Sequence, residues 1–130
     1  MKRAEFEQYI GEKYGVLPES PWIKSPEFHV FRHAGNKKWF ALTMTIPKSR
    51  LGFDADTMTD VVNLKCDPLM TGTLRDSKRV FPAYHMNKEN WITVLLDGSA
   101  GRELITMLLD ISFGMTAPKI KRRPRNDTEI

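Results

Sequence analysis

The side chains best suited to binding or chemistry are concentrated between Phe81 and Gly98. Within ten positions this stretch presents a phenol, an imidazole, a carboxamide, an ammonium and an indole, on Tyr84, His85, Asn87, Lys88 and Trp91. Aromatic rings of this kind stack on bases, and cationic side chains contact phosphates. The stretch then continues as an uninterrupted apolar run, which is typical of a core strand. We therefore expect one segment to supply both polar groups and the centre of a sheet.

Motifs for catalysis or metal binding are missing from the sequence. There is no Walker loop, no G-x-G-x-x-G and no G-x-S-x-G. The histidines His29, His33 and His85 have no cysteine or carboxylate at metal-ligand spacing. An active site built from Tyr84, His85 and Lys88 would need a pocket, which a sequence does not reveal. We therefore expect a protein that is not an enzyme and that holds no cofactor and no metal ion.

The single cysteine and the lack of a long apolar segment indicate where in the cell the protein is located. Cys66 has no second cysteine to pair with, which fits a reducing compartment. At the end of an apolar strand, next to Asp67, it is expected to be buried rather than a thiol site working with His85. The charged N-terminus does not resemble a signal peptide, and no apolar run approaches the roughly 18 residues that cross a membrane. We expect a cytoplasmic protein that does not contact membranes.

The net charge of +4 belongs mainly to the C-terminal residues. From position 117 onward, five basic and two acidic residues contribute +3, which leaves +1 for residues 1–116. These are Lys119, Lys121, Arg122, Arg123, Arg125, Asp127 and Glu129. Such a tail can hold phosphates non-specifically, or it can be a solvated terminus. We therefore divide the chain into a nearly neutral folded domain, 1–116, and a basic, disordered tail, 117–130.

Hydrophobic spacing predicts three helices. Apolar residues three and four positions apart predict a helix over 2–15, with Gly15 as its C-terminal cap. Asp67-Pro68 predicts the start of a short helix that runs to about residue 75. Ser99 is expected to cap a last helix, which ends near Gly114. Its predicted buried stripe comprises Leu104, Leu108, Ile111 and Met115, widened by Ile105 and Leu109. In the short helix the expected buried residues are Leu69, Met70 and Leu74.

Extended segments are predicted between these helices. A turn at 33–38, which contains Gly35-Asn36, separates the first two strands. A proline-rich loop precedes these strands, and its Trp22 is expected to pack on the core rather than to serve in binding. The predicted segments are 28–32, 39–46, 60–66, an extended piece around 83–86, and 91–96. The order of elements predicts a single two-layer α+β domain, with a mostly antiparallel sheet of about five strands and helices on one face.

Alternation along 39–46 predicts which side chains remain outside the core, since neighbouring residues in a strand point to opposite faces. The expected core face comprises Phe40, Leu42, Met44 and Ile46. The expected open face comprises Trp39, Ala41, Thr43, Thr45, Asn63, Lys65 and either Tyr84 or His85. Such a face is a platform for a nucleic acid or a protein partner, or it is an ordinary solvated surface.

Several runs of the sequence resemble the MmcQ/YjbR family. They are Pro21-Trp22, Phe31-Arg32-His33, residues 38–41, Asn63-Leu-Lys-Cys-Asp-Pro68, residues 81–91 and Leu-Asp-Gly-Ser99. The resemblance covers about residues 1–115 in order. It implies a small cytoplasmic bacterial α+β domain that is described as DNA-binding, with a double-wing arrangement. It implies no catalytic residues, and its functional description rests on fold similarity.

The leading hypothesis from the sequence is a nucleic-acid-binding module whose wings are the 34–38 and 87–90 turns. Phosphates would contact Arg32, Lys37, Lys38, Lys65 and Lys88, while bases would stack on Trp39, Tyr84 and Trp91, beside His85 and Asn87. The nearly neutral domain argues against tight binding. The alternative is a protein-interaction or small-ligand module that uses the same open face. The expected partner is thus DNA or a protein.

Overall fold

The computed structural model describes residues 1–76 and 78–119, which form three helices and one five-stranded sheet. The helices are α1 (Arg3–Tyr14), α2 (Pro68–Leu74) and α3 (Arg102–Thr116). The strands are β1 (His29–Arg32), β2 (Trp39–Pro47), β3 (Met58–Lys65), β4 (Val80–Pro82) and β5 (Trp91–Leu95). The predicted α+β class is confirmed. Most of the predicted basic tail, residues 120–130, lies outside the described residues.

The sheet is antiparallel throughout, with strand order β1-β2-β3-β5-β4. The predicted extended piece around 83–86 is wrong, because the strand paired with β5 is Val80–Pro82. Pro82 has no N–H to continue a ladder, and the Tyr84 N–H donates to the Thr93 side chain rather than to the β5 backbone. Among the described residues, no helix is both long and apolar enough to span a membrane.

A β-bulge in the first hairpin decides which side chains of β2 face the helices. Phe31 pairs with Ala41, but Arg32 pairs with Trp39, so Phe40 is an extra residue. Phe40 and Ala41 both pack in the cluster beneath the helices. The other side of the sheet carries a second apolar cluster, to which β2 contributes Trp39, Leu42, Met44 and Ile46. The prediction that Phe40 shares a face with Leu42, Met44 and Ile46 is therefore wrong.

Helix α1 covers the threonines that were predicted to be open. Thr43 donates a hydrogen bond of 2.8 Å to the Glu7 carboxylate, and Arg3 donates one of 2.9 Å to Thr45. Burial raises the pKa of Glu7, but the hydrogen bonds from Arg3, His29 and Thr43 together lower it further, so its net shift is downward. The placement of Thr43 and Thr45 on an open face is wrong, because alternation separates two faces without showing which one the helices cover.

Helix α3 is rotated relative to the predicted stripe. Its buried residues are Ile105, Leu108, Leu109, Ser112 and Thr116. Met115 is 41% exposed, and Ile111 is only half-buried. Helix α3 has this orientation because it turns the hydroxyl of Ser112 toward the sheet. The hydroxyl donates to the Phe40 carbonyl at 2.5 Å and accepts from the Lys65 N–H at 2.8 Å. The helix thus satisfies backbone groups next to the bulge.

Two smaller predictions about the helices are corrected by the structure. Helix α3 is capped by Gly101 rather than Ser99. In α2 the Asp67 cap is confirmed, since its carboxylate accepts from the Leu69 N–H at 2.8 Å. Leu69 itself is 89% exposed rather than buried. Met70 packs against the core from the next position, about 100° further around the helix, which turns Leu69 outward.

Cys66 is buried, with 1% of its surface exposed, and burial raises the pKa of its thiol. Because the thiolate is the reactive form, we expect native Cys66 to react with a thiol reagent at neutral pH far more slowly than in urea-unfolded protein. The measurement is the labelling rate under both conditions. Similar rates would show that the thiol is accessible in the folded state.

His33 makes the stability of the domain sensitive to pH. It is 6% exposed, and its Nε2 lies 2.8 Å from the Thr116 hydroxyl. Burial lowers the pKa of His33, against a backbone hydrogen bond at Phe113 that raises it. Because the folded pKa lies below the unfolded value of about 6.5, its contribution to stability is present above that value and is lost as the pH falls.

Urea unfolding at about pH 7.5 and about pH 5.5 measures this effect. We expect the parent to lose more stability on acidification than His33→Gln does. The variant His85→Gln, which changes an exposed histidine, should keep the pH dependence of the parent. Equal pH dependence of the parent and His33→Gln would contradict this account.

Candidate functional site

Loops cover part of the sheet face opposite the helices. Its buried cluster comprises Val30, Leu42, Met44, Ile46, Val61, Phe81 and Leu95. Side chains of three connecting segments pack on this cluster, among them Phe28, Leu51, Phe53, Tyr84 and Met86. The sheet face opposite the helices is thus an apolar floor with a partial cover, and it carries Leu42, Met44 and Ile46, which were predicted to face the helices. Two cavities remain between this floor and the loops.

The first cavity, which we call the aromatic cavity, has a volume of about 420 Å³. It is lined by Trp22, Ser25, Phe28, Trp39, Leu42, Met44, His85 and Met86. The ring of Trp22 stands nearly perpendicular to that of Trp39, with centroids 5.7 Å apart, and to that of Phe28 at 6.0 Å. Trp22 contacts these two rings at the edge of the second cluster but is not part of that cluster, and it is 38% exposed, so its predicted packing on the core is wrong.

The second cavity, which we call the cationic cavity, has a volume of about 690 Å³. It is lined by residues 81–88 together with Arg50 and Leu51. His85 and Met86 line both cavities, so the two are adjacent, and we call them together the sheet-face groove. None of the described residues that line the groove is an aspartate or glutamate. The fixed charges on its walls are therefore positive.

Two buried polar side chains hold the segment that carries His85 over the sheet. Asn63 donates to the Tyr84 carbonyl at 2.7 Å, and the Tyr84 N–H donates to the Thr93 hydroxyl at 2.9 Å. The Thr93 hydroxyl in turn donates to the Asn63 amide oxygen at 2.5 Å. The two side chains thus satisfy the backbone that would otherwise need a strand partner.

The next residue, His85, has a φ of 60°, which a non-glycine residue rarely adopts. Its ring contacts that of Tyr84, with centroids 3.9 Å apart. Residues in this region of φ and ψ persist only where their surroundings hold them, and they cluster at functional sites. The tether through Tyr84 therefore fixes an exposed imidazole at the junction of the two cavities.

The groove brings together half of the residues predicted from the sequence, namely Trp39, Tyr84, His85, Asn87 and Lys88. Lys65 and Trp91 are cross-strand partners at one end of the sheet and line neither cavity. Lys38 is exposed in the turn before β2. Lys37 borders a different cavity, beside the end of α1.

Arg32 is engaged elsewhere. Its guanidinium donates to both carboxylate oxygens of Glu19, at 2.6 and 2.7 Å. The bidentate pair raises the pKa of Arg32 and lowers that of Glu19. Glu19 was not visible as a partner in the sequence, since it lies in the proline-rich loop and reaches β1 through a bridge to Val30. A phosphate that binds Arg32 would have to displace the Glu19 carboxylate from this ion pair.

The β1–β2 turn packs against α3. The Asn36 amide donates to the Thr116 carbonyl at 2.8 Å, and His33 contacts the hydroxyl of the same threonine. In the other predicted wing, the Asn87 side chain accepts from the Glu89 N–H at 2.8 Å. Both turns lie at the same end of the sheet, as the register of Ala41, Leu64 and Ile92 shows.

Sequence reasoning missed Arg50, Phe28 and Met86 as groove residues, and for Trp22 it favoured packing on the core over binding. Arg50 belongs to a short 3-10 turn, Lys48–Leu51, after β2. Nothing in the local sequence shows that this turn folds back toward the 81–88 segment. The only available signal was the unusual Pro-Trp-Ile-Lys run around Trp22 in a loop.

The chain is similar to proteins from several bacteria. The family model described as YjbR matches residues 11–115. The uncharacterized protein YyaQ of Bacillus subtilis is 37% identical over 116 residues, which cover 89% of this chain and 98% of YyaQ.

Solved structures show the same similarity. A crystal structure from Pseudomonas syringae is 46% identical, with a TM-score of 0.87, and the match covers 90% of this chain and 100% of that one. A solution NMR structure from the same organism is 43% identical, with a TM-score of 0.83 and coverage of 97% and 99%. A crystal structure from Deinococcus radiodurans is 25% identical, with a TM-score of 0.70 and coverage of 100% and 90%.

Proposed function

The chain belongs to the YjbR family, and from the sheet-face groove we propose that it is a non-enzymatic module that binds single-stranded nucleic acid. The observation that carries the proposal is a pair of adjacent cavities with aromatic walls and only positive fixed charges. These are the two features with which proteins hold single strands without reading their sequence.

The aromatic walls supply the base contacts. Trp22 and Trp39 line one cavity and Tyr84 lines the other, and each keeps part of its ring accessible. Stacking of a base on such a ring contributes about 1–3 kcal/mol. A base within a duplex is already stacked and paired, and it cannot enter a cavity of this kind without being extruded. The groove therefore favours single strands over duplexes.

The cations supply the phosphate contacts. Among the described residues, Arg50 and Lys88 form no salt bridge. By contrast, Lys13 and Arg102 on the helix side pair with Asp110 and Glu5. A cation without a carboxylate partner can accept a phosphate at no cost in broken ion pairs. The groove side thus carries two cations that can bind phosphates, even though the domain as a whole is nearly neutral.

The test is fluorescence anisotropy of labelled single-stranded DNA, single-stranded RNA and duplex DNA across a salt series. We expect single strands to bind more tightly than the duplex. Arg50→Ala and Lys88→Ala should each weaken binding and reduce the salt slope by about 0.7 per lost contact. The matched controls, Arg102→Ala and Lys13→Ala, remove the same charges from the helix side and should leave the slope nearly unchanged. Tighter duplex binding, or equal effects of all four variants, would refute the proposal.

Deleting residues 120–130 separates the tail from the domain. We expect the deletion to weaken binding to all oligonucleotides alike, because the tail's basic residues would act through charge alone. The preference for single strands should survive, since it belongs to the groove. The measurement is the ratio of single-strand to duplex affinity with and without the tail. Loss of all binding on deletion would assign the activity to the tail.

A protein-interaction module remains the second candidate. The observation in its favour is the exposure of Leu17 (79%) and Ile23 (96%), on the loop that also carries Trp22. Exposed apolar side chains on one loop can mark a protein contact. Ile23→Ser would then abolish recovery of a nuclease-resistant partner in pull-downs, whereas the nucleic-acid proposal predicts unchanged oligonucleotide binding in this variant.

A further inference from the structure

We propose that the two cavities of the sheet-face groove together form a binding site for one purine nucleotide, with the base in the aromatic cavity and the phosphate in the cationic cavity. The inference rests on the proposed function, since the same walls would hold one nucleotide of a strand. It goes further by predicting that a free mononucleotide binds without a strand attached.

The aromatic cavity has the size and shape for a planar ring. Its volume of about 420 Å³ falls within the range of about 300–1,000 Å³ typical of small-molecule sites. The ring of Trp22 meets the rings of Trp39 and Phe28 at 89° and 82°. A base stacked on one of these rings would therefore meet another edge-on, which is a favourable aromatic arrangement. A purine would bury more apolar surface here than a pyrimidine.

Two polar groups are available to the edge of such a base. Ser25 and His85 both line the aromatic cavity. Neither the Ser25 hydroxyl nor the His85 imidazole hydrogen-bonds to another described residue. A hydroxyl and a neutral imidazole can each donate and accept. A mostly apolar pocket with a small number of unpaired polar groups is the usual design of a ligand site.

The two cavities are adjacent, as the base and phosphate of one nucleotide are. His85 and Met86 line both, so the cavities are separated by no more than these two residues. The left-handed backbone at His85 and the tether through Tyr84 hold this divide in one position. A ligand that occupies both cavities therefore passes His85 and Met86, which is where the ribose of a nucleotide would lie.

The cationic cavity provides the anion site. Arg50 approaches from the turn after β2, and Lys88 from the turn before β5. A guanidinium can bind two phosphate oxygens at once, and an ammonium adds a point charge. Two other cavities are each lined by Glu19 and Arg32, whose side chains pair with each other. A phosphate at Arg32 would have to break that ion pair, whereas the described lining of the groove has no carboxylate.

NMR titration of the full-length protein with four compounds tests this assignment. The compounds are adenosine 5′-monophosphate, adenosine, ribose 5-phosphate and cytidine 5′-monophosphate. We expect the adenine nucleotide to bind most tightly, because it alone fills both cavities with a purine and a phosphate. Trp22→Ala should weaken binding of the adenine nucleotide and adenosine by about tenfold. Arg50→Ala should weaken binding of the nucleotide about fivefold, and leave adenosine unaffected.

Trp22 lies in an exposed loop, and an unchanged amide spectrum of Trp22→Ala outside that loop will show that the variant folds. Arg102→Ala is the charge control and should bind every compound like the parent. If oligonucleotides bind but the mononucleotide does not shift groove resonances at millimolar concentration, this inference fails and the proposed function stands. If the mononucleotide binds and oligonucleotides do not, the proposed function fails and the nucleotide site stands. Nucleotide binding that is indifferent to both Trp22→Ala and Arg50→Ala would overturn the assignment to the groove.

Discussion

Replacing Leu108 with alanine should lower the free energy of unfolding by about 2–5 kcal/mol, the cost found for buried leucines. Leu108 is 2% exposed and belongs to the cluster between the helices and the sheet. Truncation removes buried methyl groups and leaves a cavity that the surrounding sheet cannot fully close. Urea denaturation of the parent and the variant measures the difference.

Met107 offers a matched control on the same helix. It is the preceding residue and is 46% exposed, so Met107→Ala should change stability by no more than about 0.5 kcal/mol. Equal effects of the two substitutions would show that α3 packs on the sheet through a different face. An effect of Leu108→Ala too small to resolve would show that the helix contributes little to the core.

Replacing Thr93 with valine should lower the free energy of unfolding by about 2–6 kcal/mol and should also weaken binding in the groove. The substitution keeps the shape of the side chain but leaves the Tyr84 N–H and the Asn63 amide oxygen without their partner. Each buried polar group left unpaired costs about 1–3 kcal/mol. Thr93 is itself fully buried, so any loss of affinity has to act through the segment that carries His85.

Thr93→Ser is the control, because it keeps the hydroxyl and removes only a methyl group. We expect it to retain the affinity of the parent and to lose about 1 kcal/mol of stability. Stability is measured by urea denaturation and affinity by oligonucleotide anisotropy. If Thr93→Val is destabilised but binds like the parent, the Asn63–Thr93 pair does not position the groove.

Helix α1 and four of the five strands followed from the sequence, because α1 repeats its apolar residues at three- and four-residue spacing and those strands are alternating or uninterrupted apolar runs. The assignment of faces did not follow, for two physical reasons. A bulge of one residue places Phe40 and Ala41 on the same side of β2, which alternation does not reveal. The choice of covered face depends on where α1 and α3 dock, and the polar contacts that decide it, such as Thr43 with Glu7, join residues far apart in sequence.

The candidate site was predictable where one short segment carries it. Tyr84, His85 and Lys88 stood out because unusual side chains are dense there, and they line the groove as a group. Arg50 reaches the same groove from a loop with no periodic pattern, so only the folded chain brings it close. For Arg32 the reverse holds. Its neighbours in the sequence give no sign of an acidic partner, but the Glu19 carboxylate, 13 residues away, forms an ion pair with it.

Amide and indole chemical-shift mapping of the full-length protein with a short single-stranded oligonucleotide tests the central claim most directly. The account predicts that the indole N–H signals of Trp22 and Trp39 and the amides from Tyr84 to Lys88 shift together with one saturation curve. The outer faces of α1 and α3 should stay unchanged. Shifts confined to residues 120–130, or to the helix side of the domain, would contradict the groove as the nucleic-acid site.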